Sequence, residues 1–111
     1  MNSVILVGNL TRDGEKRGKK DSPVLAFGVA VNNRQKQGDE WVDVPCFVDC
    51  VVFGKRATVL AQYLTKGKKV AISGHLSYST WDKDGQKHSK LELVCDVIEL
   101  LGGKPKSGDE W

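Results

Sequence analysis

The amino-acid sequence predicts an all-β domain with a single helix: a five-stranded Greek-key barrel whose helix falls between the third and fourth strands. Three observations carry that expectation. Five segments are rich in β-branched residues and alternate or run apolar over strand length. One segment alone, residues 56–65, switches to helical period. Glycine-, proline- and aspartate-rich breaks of the kind that turns require separate these segments.

Taken in order, Val4–Leu10 alternates and reads as the first strand, closed by an irregularity at Gly8-Asn9. Residues 11–23 are polar, rich in glycine and lysine, and end in Ser22-Pro23; they read as a loop or a wide hairpin connection. Val24–Asn33 is the second strand. Leu25, Phe27, Val29 and Val31 form its apolar face, while Ala26, Gly28 and Ala30 keep the opposite face small enough for another element or subunit to approach closely. Residues 34–42 form a loop around Gly38-Asp39, and the third strand runs from Asp43 to Phe53. In residues 56–65, Ala57, Leu60, Ala61 and Leu64 recur at helical spacing, and Lys66-Gly67 supplies the stop. Val70–Trp81 is the fourth strand, with Val70, Ile72, Gly74 and Leu76 on one face. Asp82–Gly85 is a hairpin turn, and Lys87–Leu101 is a fifth strand, bent or bulged because its apolar residues do not alternate cleanly. Three strands, one helix and two strands is the order of an OB-fold. Residues 1–102 make up this domain, and 103–111 a short, polar, flexible tail.

At 111 residues the chain supports one hydrophobic core. A formal net charge of +3 does not by itself call for a polyanionic partner, so distribution matters more. Arg12, Lys16, Arg17, Lys19 and Lys20 crowd one segment, partly offset by Asp13 and Glu15, and Lys66, Lys68 and Lys69 crowd another. Either cluster alone reads as ordinary solvated charge. No segment approaches the roughly 20 apolar residues of a membrane span. The first residues lack the basic start and cleavage site of a secretory signal. The expectation is a cytoplasmic, nucleoid-associated protein with no membrane partner. Three cysteines argue against a disulfide framework. Cys46 and Cys50, four apart on a strand, stand about 13 Å from each other, too far to bridge. His75 and His88 stand alone, so neither metal nor cofactor is expected. No P-loop, G-x-S-x-G or H-E-x-x-H motif is present, and Asp82 and Asp84 are accounted for by their turn. The expectation is a non-enzymatic protein, the enzymatic alternative being a cysteine nucleophile at Cys46 or Cys50.

The third strand carries the strongest functional signal. Side chains alternate along a strand, so Phe47, Asp49, Val51 and Phe53 share one side and Cys46, Val48, Cys50 and Val52 the other. Both sides are apolar, yet a small barrel has one interior, so one set must face a helix, a partner or a ligand. Trp81 lies opposite in parity to Val70, Ile72 and Leu76 and points outward if those fill the core. Flat rings beside cations suit unpaired bases, which stack on aromatics while their phosphates seek positive charge. The competing reading leaves the phenylalanines in the core. Trp41, in the loop before the third strand, either stacks on a base or clamps that loop to the barrel. Tyr63 reads as core or edge packing and Tyr78 as buried. Lys55 and Arg56 follow Phe53-Gly54 and flank the rings; Lys66, Lys68 and Lys69 lie at the helix-to-strand turn, and Arg34 and Lys36 on the second loop. Such cations neutralise phosphates without reading sequence.

The segments VILVGNLTRD, FVDCVVFGK, YLTKGKKV and KLELVCDVIELL, with the pair Gly74-x-Leu76, resemble the bacterial-type single-stranded DNA-binding proteins over roughly residues 2–101. The resemblance implies an OB-fold that assembles as a homotetramer, with a dimer as the alternative. It further implies that the protein wraps single-stranded DNA without sequence preference and protects it in replication, recombination and repair. Phe47, Phe53 and Trp81 match the family's base-stacking aromatics, Lys55 and Lys66 match backbone-contacting basic positions, and Met1–Asn9 would lie near the subunit pairing surface. Three departures stand out. Ser77-Tyr78-Ser79-Thr80 replaces a more basic stretch, Asp49 stands where some members are basic, and the aromatic expected near Arg34-Gln35 is missing unless Trp41 substitutes. These departures imply fewer phosphate contacts and a shallower salt dependence. Asp109–Trp111 is acidic then aromatic, and would recruit replication and repair proteins if it is a native tip. The alternative reading is an OB-fold protein that binds RNA or serves as a replisome accessory, which a 2′-hydroxyl preference would reveal.

Overall fold

The computed structural model describes residues 1–101, so Asp109–Trp111 and the rest of the expected tail lie outside the described residues. Six strands and one helix follow in the order β1 (Val4–Leu10), β2 (Glu15–Lys19), β3 (Ser22–Gln37), β4 (Glu40–Phe53), α1 (Lys55–Leu60), β5 (Lys69–Lys83) and β6 (Gln86–Leu101). Five of the strands close into a ring. β1 pairs with β5, β5 with β6, and β4 with β3, all antiparallel; β6 meets β4 in parallel at Leu93–Cys50 and Val94–Val51. β3 returns to β1 through Ala30–Asn9 and Val29–Leu10. This is the OB-type barrel the element order implies, with α1 between the fourth and fifth strands of the described residues.

The interior is filled by the set that alternation marks. Leu25, Phe27 and Val29 from β3, Cys50 and Val52 from β4, Val70 and Ile72 from β5, and Leu93 and Cys95 from β6 are buried together. Leu10 from β1 joins them, and Ala57 of α1 with Leu64 from the turn beyond it completes the cluster. Two glycines let the wall close. A methyl group on Gly74 would collide with the Val94 carbonyl oxygen, and one on Gly8 with the Ala30 carbonyl oxygen. The ladder therefore runs unbroken through Gly8 and Asn9, where the sequence predicts an irregularity; Gly8 is a point of close approach, not a strand end.

Other differences have local causes. Residues 11–23 contain β2, a strand that sequence patterning misses because all five of its residues are exposed and none is apolar. Its strand pairing is to β3, from Glu15–Ala26 to Lys19–Ser22. Residues 34–42 are no loop: β3 and β4 continue as a hairpin until Gln37 opposes Glu40, with Gly38 turning at a φ of 64°. The helix is shorter than 56–65. Beyond Leu60 the chain bends so that Leu64 enters the core, and the Leu64 carbonyl accepts a hydrogen bond from the Gly14 N–H instead of continuing the helix. The bulge expected in the last strand is present. Ser73 opposes Val97 and Gly74 opposes Cys95, leaving Asp96 as the extra residue on β6. The β5–β6 turn has positive φ at both Asp84 (53°) and Gly85 (79°), the geometry of a tight type I′ hairpin.

Since the obstacle at Gly74 is backbone, Gly74→Ala should cost about 1–3 kcal/mol of stability through overpacking. Urea unfolding at fixed protein concentration measures this, with Ser79→Ala on the exposed hairpin as a near-neutral reference. Equal midpoints for the two variants would contradict the close approach.

Candidate nucleic-acid interface

The outward side of β4 carries Trp41, Asp43, Pro45, Phe47, Asp49, Val51 and Phe53, all of them exposed except Val51, which is buried. Directly opposed residues of an antiparallel pair share a face. Lys36 therefore stands beside Trp41, Arg34 beside Asp43, Ala30 beside Phe47, Gly28 beside Asp49 and Val24 beside Phe53. Phe47 is 71% exposed, Trp41 59%, Phe53 52% and Trp81 44%, so none of the four rings belongs to the core. That excludes the core reading for the phenylalanines. Trp41 is on a strand of the β3–β4 hairpin, not in a loop folded back onto the barrel.

Trp81 lies on the outer face of β5, directly opposite His88 of β6, and their rings stack at 5.6 Å with an interplanar angle of 19°. Sequence reading passes over His88 as isolated. The signal was available, since Trp81 and His88 lie three residues either side of Asp84-Gly85, and a two-residue turn places such positions opposite each other. The outer faces of β4 and β6 join through an ion pair between Asp49 and Lys90 at 3.9 Å. The rings are thus carried by β4 and β5, with His88 and Lys90 of the intervening β6 on the same outer side.

The electrostatics of this surface turn on Asp49. Arg12 reaches it at 4.0 Å and Lys90 at 3.9 Å, and Lys90 also lies 3.6 Å from Glu92. Arg12 gets there because Gly28 has no side chain: a Cβ would sit 2.6 Å from an Arg12 guanidinium nitrogen and 2.7 Å from Thr11 Oγ1. The small face of the second predicted strand thus serves to admit Thr11 and Arg12. Neither Arg12 nor Lys90 is assigned to the site by sequence, because their positions depend on strand packing.

The remaining cations divide. Arg34 sits on the face but is paired with Asp43 at 3.7 Å. Lys55 is exposed at the start of α1, two residues after Phe53. Arg56 turns away, its guanidinium donating to the carbonyl oxygens of Cys95, at 2.9 Å, and Asp96, where the β6 bulge frees them. Lys66, Lys68 and Lys69 are grouped at the turn into β5, tied to the end of β1. The Lys66 N–H donates to Asp13 Oδ1 at 2.8 Å, and the Lys68 carbonyl accepts from the Leu10 N–H at 2.9 Å. Lys69 and Trp81 occupy opposite ends of β5, roughly 40 Å of strand apart. Lys69 shares the outward parity of Trp81 and stands at the far end of the same strand face.

Tyr78 corrects an expectation. It has inward parity but is 66% exposed, because β5 and β6 extend past the end of the barrel and nothing lies inside them there. Leu76 and Leu91 are exposed for the same reason, and Tyr63, expected at the core or an edge, is also exposed. Cys50 is buried, and its thiol pKa is driven far up by a hydrogen bond with the Cys95 side chain, by burial and by the nearby Asp49 charge. It remains a protonated packing group. Among the described residues no helix is long and apolar enough to cross a membrane, and no group of three or more His, Cys, Asp or Glu side chains is placed to hold a metal ion.

A closed five-stranded barrel with a filled interior, one short helix and a second, ring-bearing outer surface defines an OB-fold protein. Comparison with known proteins narrows that class. Residues 1–101 match the model of the single-strand binding protein family. The chain is 45% identical to the single-stranded DNA-binding protein of Treponema pallidum, over 92% of this chain and 58% of that protein. It is 44% identical to that of Borreliella burgdorferi, over 91% and 70% respectively. Among solved structures it superposes on a deletion variant of the single-stranded DNA binding protein from Thermus aquaticus, with a TM-score of 0.82 at 26% identity, covering 94% of this chain and 52% of that one. The fold is also that of the small single-stranded DNA-binding protein from Streptomyces coelicolor, with a TM-score of 0.69 at 24% identity, covering 90% and 95%. The chain belongs to the single-strand binding protein family. It spans 58% of the length of the Treponema relative.

Arg56→Gln should lower stability by roughly 1–2 kcal/mol, because two carbonyls at the bulge lose a charged donor. Lys55→Gln, one residue away, should stay within about 0.5 kcal/mol. Thermal and urea unfolding of the pair separates the structural arginine from its exposed neighbour.

Proposed function

We propose that this protein binds single-stranded DNA without reading its sequence and protects it during replication, recombination and repair. One observation carries the reading: four aromatic rings stand exposed on the outer sheet of a barrel whose core is already full. Ring surface left in water gains nothing from the core, and stacked bases are flat partners that can cover it. Phe47, Phe53 and Trp81 are the stacking residues, with Trp41 extending the platform along the β3–β4 hairpin and His88 backing Trp81. Arg34 and Lys55 contact the backbone nearest the rings. Lys66, Lys68 and Lys69 act only where the strand wraps around to the β1 side of the barrel. The mechanism involves no bond making, and the buried, protonated Cys50 thiol is no nucleophile.

Assembly extends the site. Ile5 is 77% exposed and Val7 46%, both on the outward face of β1, the strand that the family resemblance assigns to subunit pairing. Covering that face in a homotetramer, or in a dimer, would link several short platforms and raise avidity. The site of action is the cytoplasm, at the nucleoid.

Tryptophan fluorescence should be quenched by oligo(dT) and left unchanged by duplex DNA. Phe47→Ala and Trp81→Ala should each weaken oligo(dT) binding by about 1–3 kcal/mol, roughly 5- to 150-fold. Unaltered affinity in both variants, or tighter binding to RNA of equal length, would defeat the reading. Asp49→Asn should release Arg12 toward phosphates, while Lys90 keeps Glu92 as its partner. Binding at low salt then tightens, and the plot of log affinity against log salt steepens by about 0.7 for one added contact.

A further inference from the structure

We propose that the β2–β3 hairpin is a second, ring-free contact for the bound strand: a cationic trough that takes phosphates as the DNA leaves the aromatic sheet past Phe53. The inference rests on the single-stranded DNA reading above and extends it to a part of the fold outside the aromatic face.

Strand register supplies the path. Arg17 opposes Val24, and Val24 opposes Phe53, so the three form one row across β2, β3 and β4. Opposed residues share a face, which places Arg17 on the same surface as the Phe53 ring, two strand spacings or about 10 Å away. From that row a cleft of about 220 Å³ opens between the hairpin and α1, lined by Lys16, Arg17, Lys19 and Lys20 against Val24 and Thr58. A neighbouring cleft of about 520 Å³ shares Lys20, Pro23 and Thr58 with it and leads back to Gly54 and Lys55, directly after Phe53. The two make a continuous trough beginning at the end of the aromatic platform.

Its chemistry is that of a phosphate contact. No aromatic side chain lines either cleft, so the trough offers nothing for a base to stack on. Of the four cations on the hairpin, Arg17 is held by Glu15 at 3.1 Å. Lys16, Lys19 and Lys20 have no ionic partner within 4 Å among the described residues, and Asp21 is the one acidic group on the rim. Three unpaired lysines gathered on a short ribbon repel one another, a cost that a passing row of phosphates reverses. The ribbon is also a fixed one. Gly18 adopts a φ of 83° and packs so closely that a Cβ would strike the Ser22 carbonyl, and backbone pairing with β3 runs from Glu15–Ala26 to Lys19–Ser22. Lys16 and Lys19 are therefore displayed from a paired strand, and Lys20 from the turn that closes the hairpin.

The test compares the full chain with a K16Q/K19Q/K20Q variant and with the charge-keeping K16R/K19R/K20R variant, titrated with short and long oligo(dT) over a range of salt. Short oligonucleotides, held by the platform, should bind wild type and the glutamine variant within about twofold. On long oligonucleotides the glutamine variant should lose at least about tenfold at low salt, and its salt slope should be shallower by about 2, the value for three lost single-strand contacts. The arginine variant should match wild type. Identical affinity and slope for the glutamine variant at every length would overturn the trough while leaving the platform intact. Equal losses in the arginine and glutamine variants would overturn it too, since charge would then not be the cause. Failure of wild type to bind any oligo(dT) would remove the underlying reading and the trough with it.

Discussion

Closure of the five-stranded ring is the constraint on which everything else in this molecule depends. Two short seams achieve it: β1 to β3 at Asn9–Ala30 and Leu10–Val29, and β6 to β4 at Leu93–Cys50 and Val94–Val51. Both need close backbone approach near by, at Gly8 and Gly74. Once the ring is shut there is a single interior, filled by aliphatic side chains, Phe27 and two thiols. Each alternating strand must then deliver its second face to the outside. On β4 that second face is aromatic. The exposed rings are thus a direct consequence of closing the barrel around the other half of the same strand.

Because the seams are short and the β3–β4 and β5–β6 hairpins long, the hairpins run well beyond the barrel they help to close. Their distal halves carry Trp41 on one and Trp81 with His88 on the other. This overhang explains two features that a compact barrel would not have: a tyrosine of inward parity left in water, and tryptophans supported by hairpin partners in place of a core. The charges follow the same geometry. Asp49 lies between two rings and would repel phosphate alone, but Gly28 admits Arg12 from β3's side and Lys90 approaches from β6, so the face is balanced by residues from three elements. Exposed pairs of this kind contribute little to stability. Their importance is in setting the potential that a polyanion would meet.

The parts of this organisation legible in sequence are those governed by alternation. Phe47 and Phe53, an even number of residues apart, had to share a face, and Trp81 had to oppose Val70 and Ile72. The parts that stayed hidden lack an apolar signature. β2 is a strand only because β3 offers it hydrogen bonds, so its own residues announce nothing. Arg56 looked like another exposed cation until the β6 bulge supplied carbonyls for it. Tyr78 misled because parity gives direction, and burial also requires something to be buried against.

By itself, then, the sequence determined the order of the five barrel strands and the helix, the side of each of those strands that a residue occupies, and the turn chemistry at Asp84-Gly85, since these depend on local backbone preference and on a two-residue period. Tertiary structure alone decided which apolar face became interior, how far the hairpins outran the barrel, and which cations stood beside the rings. Those outcomes arise from pairing between segments distant along the chain, and no local pattern encodes the distance between Arg12, Asp49 and Lys90.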